Sequence, residues 1–128
     1  MYFITICIKN RINILGQINK NKIQLSEEGI VTEKFLCEIP KHYQNVKIDE
    51  YVIMPNHIHF ILNIPRNNKN SISQIIGQYK RNVSIELKYS IWQKSFYEHI
   101  IRNKNEYIKI KHYIIENPKK WDEDLYNK

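Results

Sequence analysis

Apolar positions recur along the chain at two different periods, and the switches between them divide it into elements. Tyr2 to Ile8 is a β-branched and aromatic run of the kind strands favour, and Ile14 to Leu25 reads as a hairpin turning at Asn19 to Lys22. Ser26, followed by Glu28 and Gly29, opens a helical stretch to about Tyr43. Ile30, Phe35, Leu36 and Ile39 form its apolar side, and Pro40 limits its length. Val46 to Met54 and Ile58 to Ile64 are strand patterns separated by Pro55-Asn56, a turn signal that makes them neighbours in a sheet. The polar run Arg66 to Ser71 is a loop. Ile72, Ile75, Ile76, Tyr79, Val83 and Leu87 then fall at helical spacing between Ser71 and about Tyr89. Phe96 to Ile101 predicts a short strand. A last helix runs from about Lys104 to Glu116 and stops before Pro118, because the residue preceding a proline is pushed out of the helical region. Strand, helix, strand, strand, helix, strand, helix is the order of an α+β sheet with helices packed on it.

Composition narrows the function. A chain of 128 residues, 42% of them hydrophobic, suits one domain with one core and excludes a separate cofactor domain. Twenty Lys+Arg against 13 Asp+Glu leave a net charge of +7, which favours an anionic partner such as nucleic acid or an acidic membrane surface. The abundance of Lys, Asn and Ile points to biased codon usage and halves the weight of that inference. Cys7 and Cys37 stand apart without CxxC spacing, as reduced thiols of a cytoplasmic protein do. Gly16, Gly29 and Gly77 can spell neither a GxGxxG nor a Walker loop, so nucleotide cofactors held that way are excluded. The opening apolar run of eight residues is shorter than a spanning helix and has no signal-peptide cleavage site, so no membrane partner is expected.

Candidate chemistry concentrates at MPNHIHFIL. Side chains alternate along a strand, so His57 and His59 share one face while Ile58, Phe60 and Leu62 take the other. Two neutral imidazoles on one rigid face can chelate a divalent ion when each ring is oriented by a further acceptor. An arbitrary H-x-H is more often two histidines on a half-exposed face. Here the opposite face is wholly apolar, which makes the strand central, and titratable rings in mid-sheet need a reason. The pair does not name a reaction. Histidine-triad hydrolases need a third His where Ile61 stands, and double-motif phosphoesterases need a second H-x-[ST] that the chain lacks. On the last helix Tyr113 and Asn117 share a face about 5–6 Å apart. Taken without the histidines, that pair fits a packed ring and a capping amide better than a site.

The stretch YVIMPNHIHFIL resembles the HUH signature of single-strand DNA tyrosine transposases, with Ile58 as the hydrophobic middle residue. WQKSFYEHIIRN followed by HYIIENP resembles the downstream part of the branch called REP-associated tyrosine transposases, and the likeness extends to YFITICIKNR, the LGQI segment and NPKKW, nearly the whole chain. The chain departs from the family at its start, where relatives carry a short basic lead-in. The resemblance implies a ferredoxin-like or RRM-like antiparallel sheet with packed helices and a C-terminal catalytic helix, residues 1–128 being one transposase-like catalytic domain. It further implies metal ligation by His57 and His59, a catalytic tyrosine at Tyr113 and completion of the metal site by Asn117. Mg²⁺ or Mn²⁺ is the implied ion, although histidine ligation alone also admits Zn²⁺ or Ni²⁺.

Elementary chemistry agrees with those roles. A phenol with a pKa of about 10 is a poor nucleophile at neutral pH, so the phosphate must be polarised and held in line. Attack by Tyr113 then leaves a 5′-phosphotyrosine and a free 3′-hydroxyl, and a second strand's 3′-hydroxyl can reverse the step without ATP. Lys80, Arg81, Lys94 and Arg102, with Trp92 and Tyr97, are the cationic and aromatic candidates for phosphate neutralisation and base stacking. Each fits a solvated surface, or for Trp92 the core, at least equally well. His99 and His112 are given no role. The implied partner is single-stranded DNA carrying a hairpin, bound by a monomer or a homodimer; a long gap between Tyr113 and His57 within one chain marks the shared arrangement. Two rivals stand beside this expectation: a catalytically silent hairpin-binding module, and a metal phosphodiesterase that uses water.

Overall fold

The computed structural model describes residues 1–123. Its elements are β1 (Tyr2–Cys7), β2 (Gly16–Asn19), β3 (Lys22–Leu25), α1 (Glu27–His42), β4 (Lys47–Met54), β5 (His57–Asn63), α2 (Ile72–Leu87), β6 (Tyr97–Ile100) and α3 (Lys104–Glu116), with short 3₁₀ segments at Lys9–Arg11 and Asn117–Glu123. β4, β5, β1 and β6 form a four-stranded sheet in that order, every pair antiparallel, and β2 and β3 form a separate hairpin. With the hairpin set aside, the chain runs βαββαβ with its first and third strands in the middle, which is the ferredoxin-like arrangement. No described helix is long and apolar enough to cross a membrane.

Register decides which residues meet. β1 pairs with β5 so that Ile4 opposes Phe60 and Ile6 opposes Ile58, and these join Leu36, Ile39, Ile75, Ile76, Tyr79 and Val83 of α1 and α2 in the main core. The other face carries Phe3, Thr5 and Cys7 of β1 beside His59 and His57 of β5, and a smaller cluster of Val52, Met54, Ile61 and Ile114 anchors α3 over it. A bulge in β4 between Ile48 and Tyr51 restores the alternation, so that Tyr51 and Ile53 turn to the main core while Val52 and Met54 flank His59 and His57.

Helix boundaries follow local chemistry. Ser26 caps α1 by accepting from Gly29 N, and Ser71 and Gln74 form a reciprocal capping box on α2. Asn103 caps α3 through Glu106 N. The hairpin turns through Lys20 and Asn21 with φ of 53° and 64°, the left-handed pair of a type I′ turn.

Two expectations are corrected. Ile30 is exposed, not on the apolar side of α1: Gly29, Thr32, Leu36 and Ile39 face inward, because at Gly29 the helix packs so closely on the Leu15 carbonyl that a Cβ would collide with it. Pro40 lies in the last turn of α1, which ends two residues later at His42, so the proline limits the helix as its position in the sequence implies. Asn117 keeps helical angles (φ −56°, ψ −46°) despite preceding Pro118, and the chain tightens into 3₁₀ rather than leaving the helix, which holds the Asn117 side chain in line with α3.

Candidate active site

The two histidines lie where the strand pattern puts them, on one face, with ring centroids 4.6 Å apart. Each is held through Nδ1. The His57 Nδ1–H donates to Asn56 Oδ1 at 2.7 Å, and His59 Nδ1 bonds Thr5 Oγ1 at 2.8 Å. An amide oxygen only accepts, so Asn56 selects, of the two neutral tautomers, the one that carries its proton on Nδ1 and its lone pair on Nε2; His59 takes the same form when the Thr5 hydroxyl accepts. Aromatic rings pack around the pair. Phe3 stacks on His59 at 5.2 Å, and Trp121, from the 3₁₀ segment, stacks on His57 at 6.3 Å.

α3 brings Tyr113 to this face. Ile114 is buried against the sheet, which turns its neighbour Tyr113 along the surface so that its Oη is 3.5 Å from His59 Nε2. The Tyr113 ring meets Phe3 edge-on at 6.2 Å. One turn later Asn117 Nδ2 donates to the Tyr113 carbonyl at 3.4 Å, and Asn117 Oδ1 is buried with no hydrogen-bond partner among the described residues. Exposure separates the roles available: His57, His59 and Asn117 are 0%, 1% and 3% exposed, while Tyr113 is 43% exposed. Such an arrangement can bring a phosphate to a recessed nitrogen and oxygen donor set with a reachable phenol at its rim. No group of three His, Cys, Asp or Glu side chains suited to a metal occurs among the described residues.

Thr5, Asn56, Phe3 and Trp121 escaped the sequence reading. Asn56 stood next to His57 in a turn signal and was legible as a candidate acceptor; Thr5 meets His59 only through strand register. Replacing Asn56 with Ala is expected to cost about 1–3 kcal/mol of stability by leaving the His57 N–H without its acceptor and, for any metal held by the histidines, to lower its affinity about 10- to 100-fold. Metal titration and denaturant unfolding of the same variant read both effects.

The DNA-binding candidates divide. Lys80, Arg81, Trp92 and Lys94 line one cleft with Lys9 and Arg11. Arg102 lies elsewhere, beside Met1, Tyr2 and Arg66. Trp92 is 4% exposed, its Nε1 donating to the Lys80 carbonyl at 3.2 Å and its ring against Tyr79. Its place is therefore the core, where its face is closed to a stacking base. Trp92→Ala should cost about 3–5 kcal/mol in denaturant unfolding, the range for a large buried aromatic. Lys80 ties its Nζ to the carbonyls of Gln93 and Lys94, and burial pulls its pKa below the usual lysine value.

Known proteins resemble the chain along most of its length. An uncharacterized protein of Haemophilus influenzae is 33% identical over 148 aligned positions, covering 96% of this chain and 82% of that one. A REP-associated tyrosine transposase of Escherichia coli K12 is 27% identical over 122, covering 93% of this chain and 66% of its own length. In fold, the chain is similar to a REP-associated tyrosine transposase solved bound to a REP hairpin, with a TM-score of 0.75 at 23% identity over 94% of this chain and 67% of that one. A Deinococcus radiodurans R1 protein assigned as a transposase gives 0.58 at 18% identity, over 91% and 88%. The family described as "Transposase IS200 like" matches residues 1–117, from the first strand through Asn117. That match covers most of the chain and includes both histidines and Tyr113, and the chain belongs to the IS200-like transposase family.

Proposed function

We propose that this chain, a transposase domain of the REP-associated type, cleaves and rejoins single-stranded DNA beside a hairpin with Tyr113 as its nucleophile. The observation that carries the reading is the 3.5 Å approach of Tyr113 Oη to His59 Nε2 within one chain. The short gap favours a helix that serves its own histidines, so a single subunit holds the whole set. The hairpin is proposed from the REP hairpin of the structural neighbour.

The donor set fits a divalent ion, Mg²⁺ or Mn²⁺. Asn56 and Thr5 occupy the Nδ1 atoms, and Asn117 Oδ1 is a buried oxygen with no hydrogen bond of its own among the described residues. When bound on His57, His59 and Asn117, such an ion supplies Lewis acidity and a template for the phosphate. The chain's own groups do the rest. Phe3 and Trp121 keep the two rings in place, and the exposed Tyr113 forms a bond from Oη to phosphorus as the P–O3′ bond breaks. The phenol loses its proton and the 3′ oxygen gains one, leaving a 5′-phosphotyrosine whose ester a 3′-hydroxyl can attack in reverse.

Incubation with labelled single-stranded hairpin DNA and Mn²⁺, followed by denaturing electrophoresis, tests the reading. A covalent adduct supports it. Free cleaved product points to water as the nucleophile, and intact DNA with a native mobility shift points to a silent binder. Binding should also weaken about tenfold or more between roughly 50 and 200 mM salt and should prefer single strands or hairpins with unpaired ends. Equal affinity for blunt duplex in anisotropy titrations would remove that preference.

A further inference from the structure

At the end of β1, a cleft of about 880 Å³ opens between the 3₁₀ turn Lys9–Arg11, α2 and the segment leading to β6. Lys9, Arg11, Lys80, Arg81 and Lys94 line it, together with serines and amides and without a carboxylate. Its walls are braced. Lys9 N donates to the Ile91 carbonyl at 2.9 Å, Lys80 Nζ clasps Gln93 and Lys94, and the buried Trp92 closes the floor. Asn10 and Arg11 sit consecutively in the left-handed region, at φ 58° and 52°, a conformation that non-glycine residues hold only where surroundings enforce it. Part of that enforcement comes from Asn56, whose Nδ2 donates to the Arg11 carbonyl at 3.4 Å while its Oδ1 holds His57.

The cleft does not end there. A smaller groove of about 320 Å³ shares Arg11 and Gln93 with it and continues past Phe96 and Tyr97 to Thr5 and Cys7. Thr5 and Cys7 are the register partners of His59 and His57, so the two cavities together lead from the basic cleft toward the histidine face, a path whose inner end is lined by Thr5 and Cys7. Tyr97, 55% exposed on the edge strand and paired with Thr5, stands beside the end of this path.

We propose that the path is a binding track for the unpaired strand flanking the cleaved phosphate, with Lys9, Arg11, Arg81 and Lys94 on its phosphates and Tyr97 stacking a base where it reaches the histidines. The proposal rests on the strand-cleaving reading above. Two features select a single strand over the hairpin stem. The charged groups of the lining are all cationic, and aromatic rings, Phe96 and Tyr97, lie along its inner end, the combination that sequence-tolerant strand binding uses. The histidines are recessed, so a phosphate reaches them only on a strand separated from its complement.

The test uses the whole chain in EDTA, so that binding is read without turnover. Two labelled DNAs are titrated by anisotropy: a hairpin with unpaired flanks, and the same stem blunt-ended. Lys9→Ala/Arg81→Ala/Lys94→Ala, all exposed positions, should raise Kd for the flanked hairpin tenfold or more. It should also reduce the slope of log K against log salt by about 2, three contacts at about 0.7 each, and leave the blunt hairpin unchanged. The charge-matched variant Lys34→Ala/Lys41→Ala/Lys69→Ala, whose sites lie outside both cavities, should leave both Kd values in place. Equal loss on flanked and blunt DNA would give the cleft to the stem, and equal loss in both variants would reduce it to general charge; either overturns the track. Adduct formation with Mn²⁺, scored on the wild-type chain, is a separate readout, so a missing adduct with flank-dependent binding intact would retire the chemistry and leave the track standing.

Discussion

Tyr113→Phe is expected to eliminate the covalent protein–DNA adduct completely while leaving the fold and hairpin binding intact. The substitution removes one oxygen from a side chain that is partly exposed and whose ring contacts, to Phe3 and His59, survive in phenylalanine. Loss of a long, half-solvated hydrogen bond to His59 should cost about 1 kcal/mol or less. No other oxygen nucleophile is offered at that place by α3. Tyr107, on the same helix, packs with the cluster of Val52, Met54, Ile61 and Ile114, and its hydroxyl engages Lys111 and Asp49, the latter raising its pKa. Denaturing electrophoresis of wild type, Tyr113→Phe and Tyr107→Phe with labelled hairpin DNA decides the matter. An adduct that persists in Tyr113→Phe and vanishes in Tyr107→Phe would show that the wrong tyrosine was chosen, and activity in both would end the tyrosine mechanism.

Replacing His57 or His59 should be equally severe for cleavage and mild for binding. Both rings lie at the centre of the sheet, while the exposed cations lie in the cleft beyond Arg11, so phosphate contacts remain when an imidazole is lost. His57→Ala and His59→Ala are expected to bring adduct formation below detection, with Kd for hairpin DNA within a few-fold of wild type. Both rings are buried, so truncation to Ala also opens a cavity; His57→Gln and His59→Gln keep most of the volume and guard against loss through misfolding. Trp121 offers a second readout, since its stacking on His57 puts an indole beside the proposed ion. Mn²⁺ should quench tryptophan fluorescence in the wild-type chain and fail to do so at the same concentration in the histidine variants. Full cleavage by either variant, or quenching that ignores both, would remove the histidines from the reaction.

Much of this site was legible along the chain. Period-two alternation through His57-Ile58-His59-Phe60 dictates that both imidazoles share a face, because side chains of a strand cannot do otherwise. Helical spacing likewise puts Tyr113 and Asn117 one turn apart whatever α3 packs against. The order of elements was equally readable, because Ser26, Ser71, Pro55-Asn56 and the polar loop at Arg66 are local signals that act within a few residues. The family resemblance, carried by motifs in both halves, is borne out by the match over residues 1–117.

Contacts between distant segments were decided only by folding. Thr5 meets His59 because β1 pairs with β5 in one register and no other, and 54 residues separate the two in the chain. The bulge at Ile48/Tyr51 resets which β4 side chains flank the histidines, and a one-residue shift of that kind leaves no trace in hydrophobic period. Trp92 read as a base-stacking candidate because its neighbours are basic, yet tertiary packing against Tyr79 buries it. Lys9 and Arg11 lie some seventy residues from Lys80 and Arg81, so the basic cleft exists only once α2 has packed beside the end of β1. By itself the sequence determined periodicity, caps and turns, and with them the faces on which the reactive groups lie, since these follow from bonded geometry. Pairing register, burial and the meeting of α3 with β5 depend on which distant apolar surfaces exclude water together, and only the tertiary structure decided them.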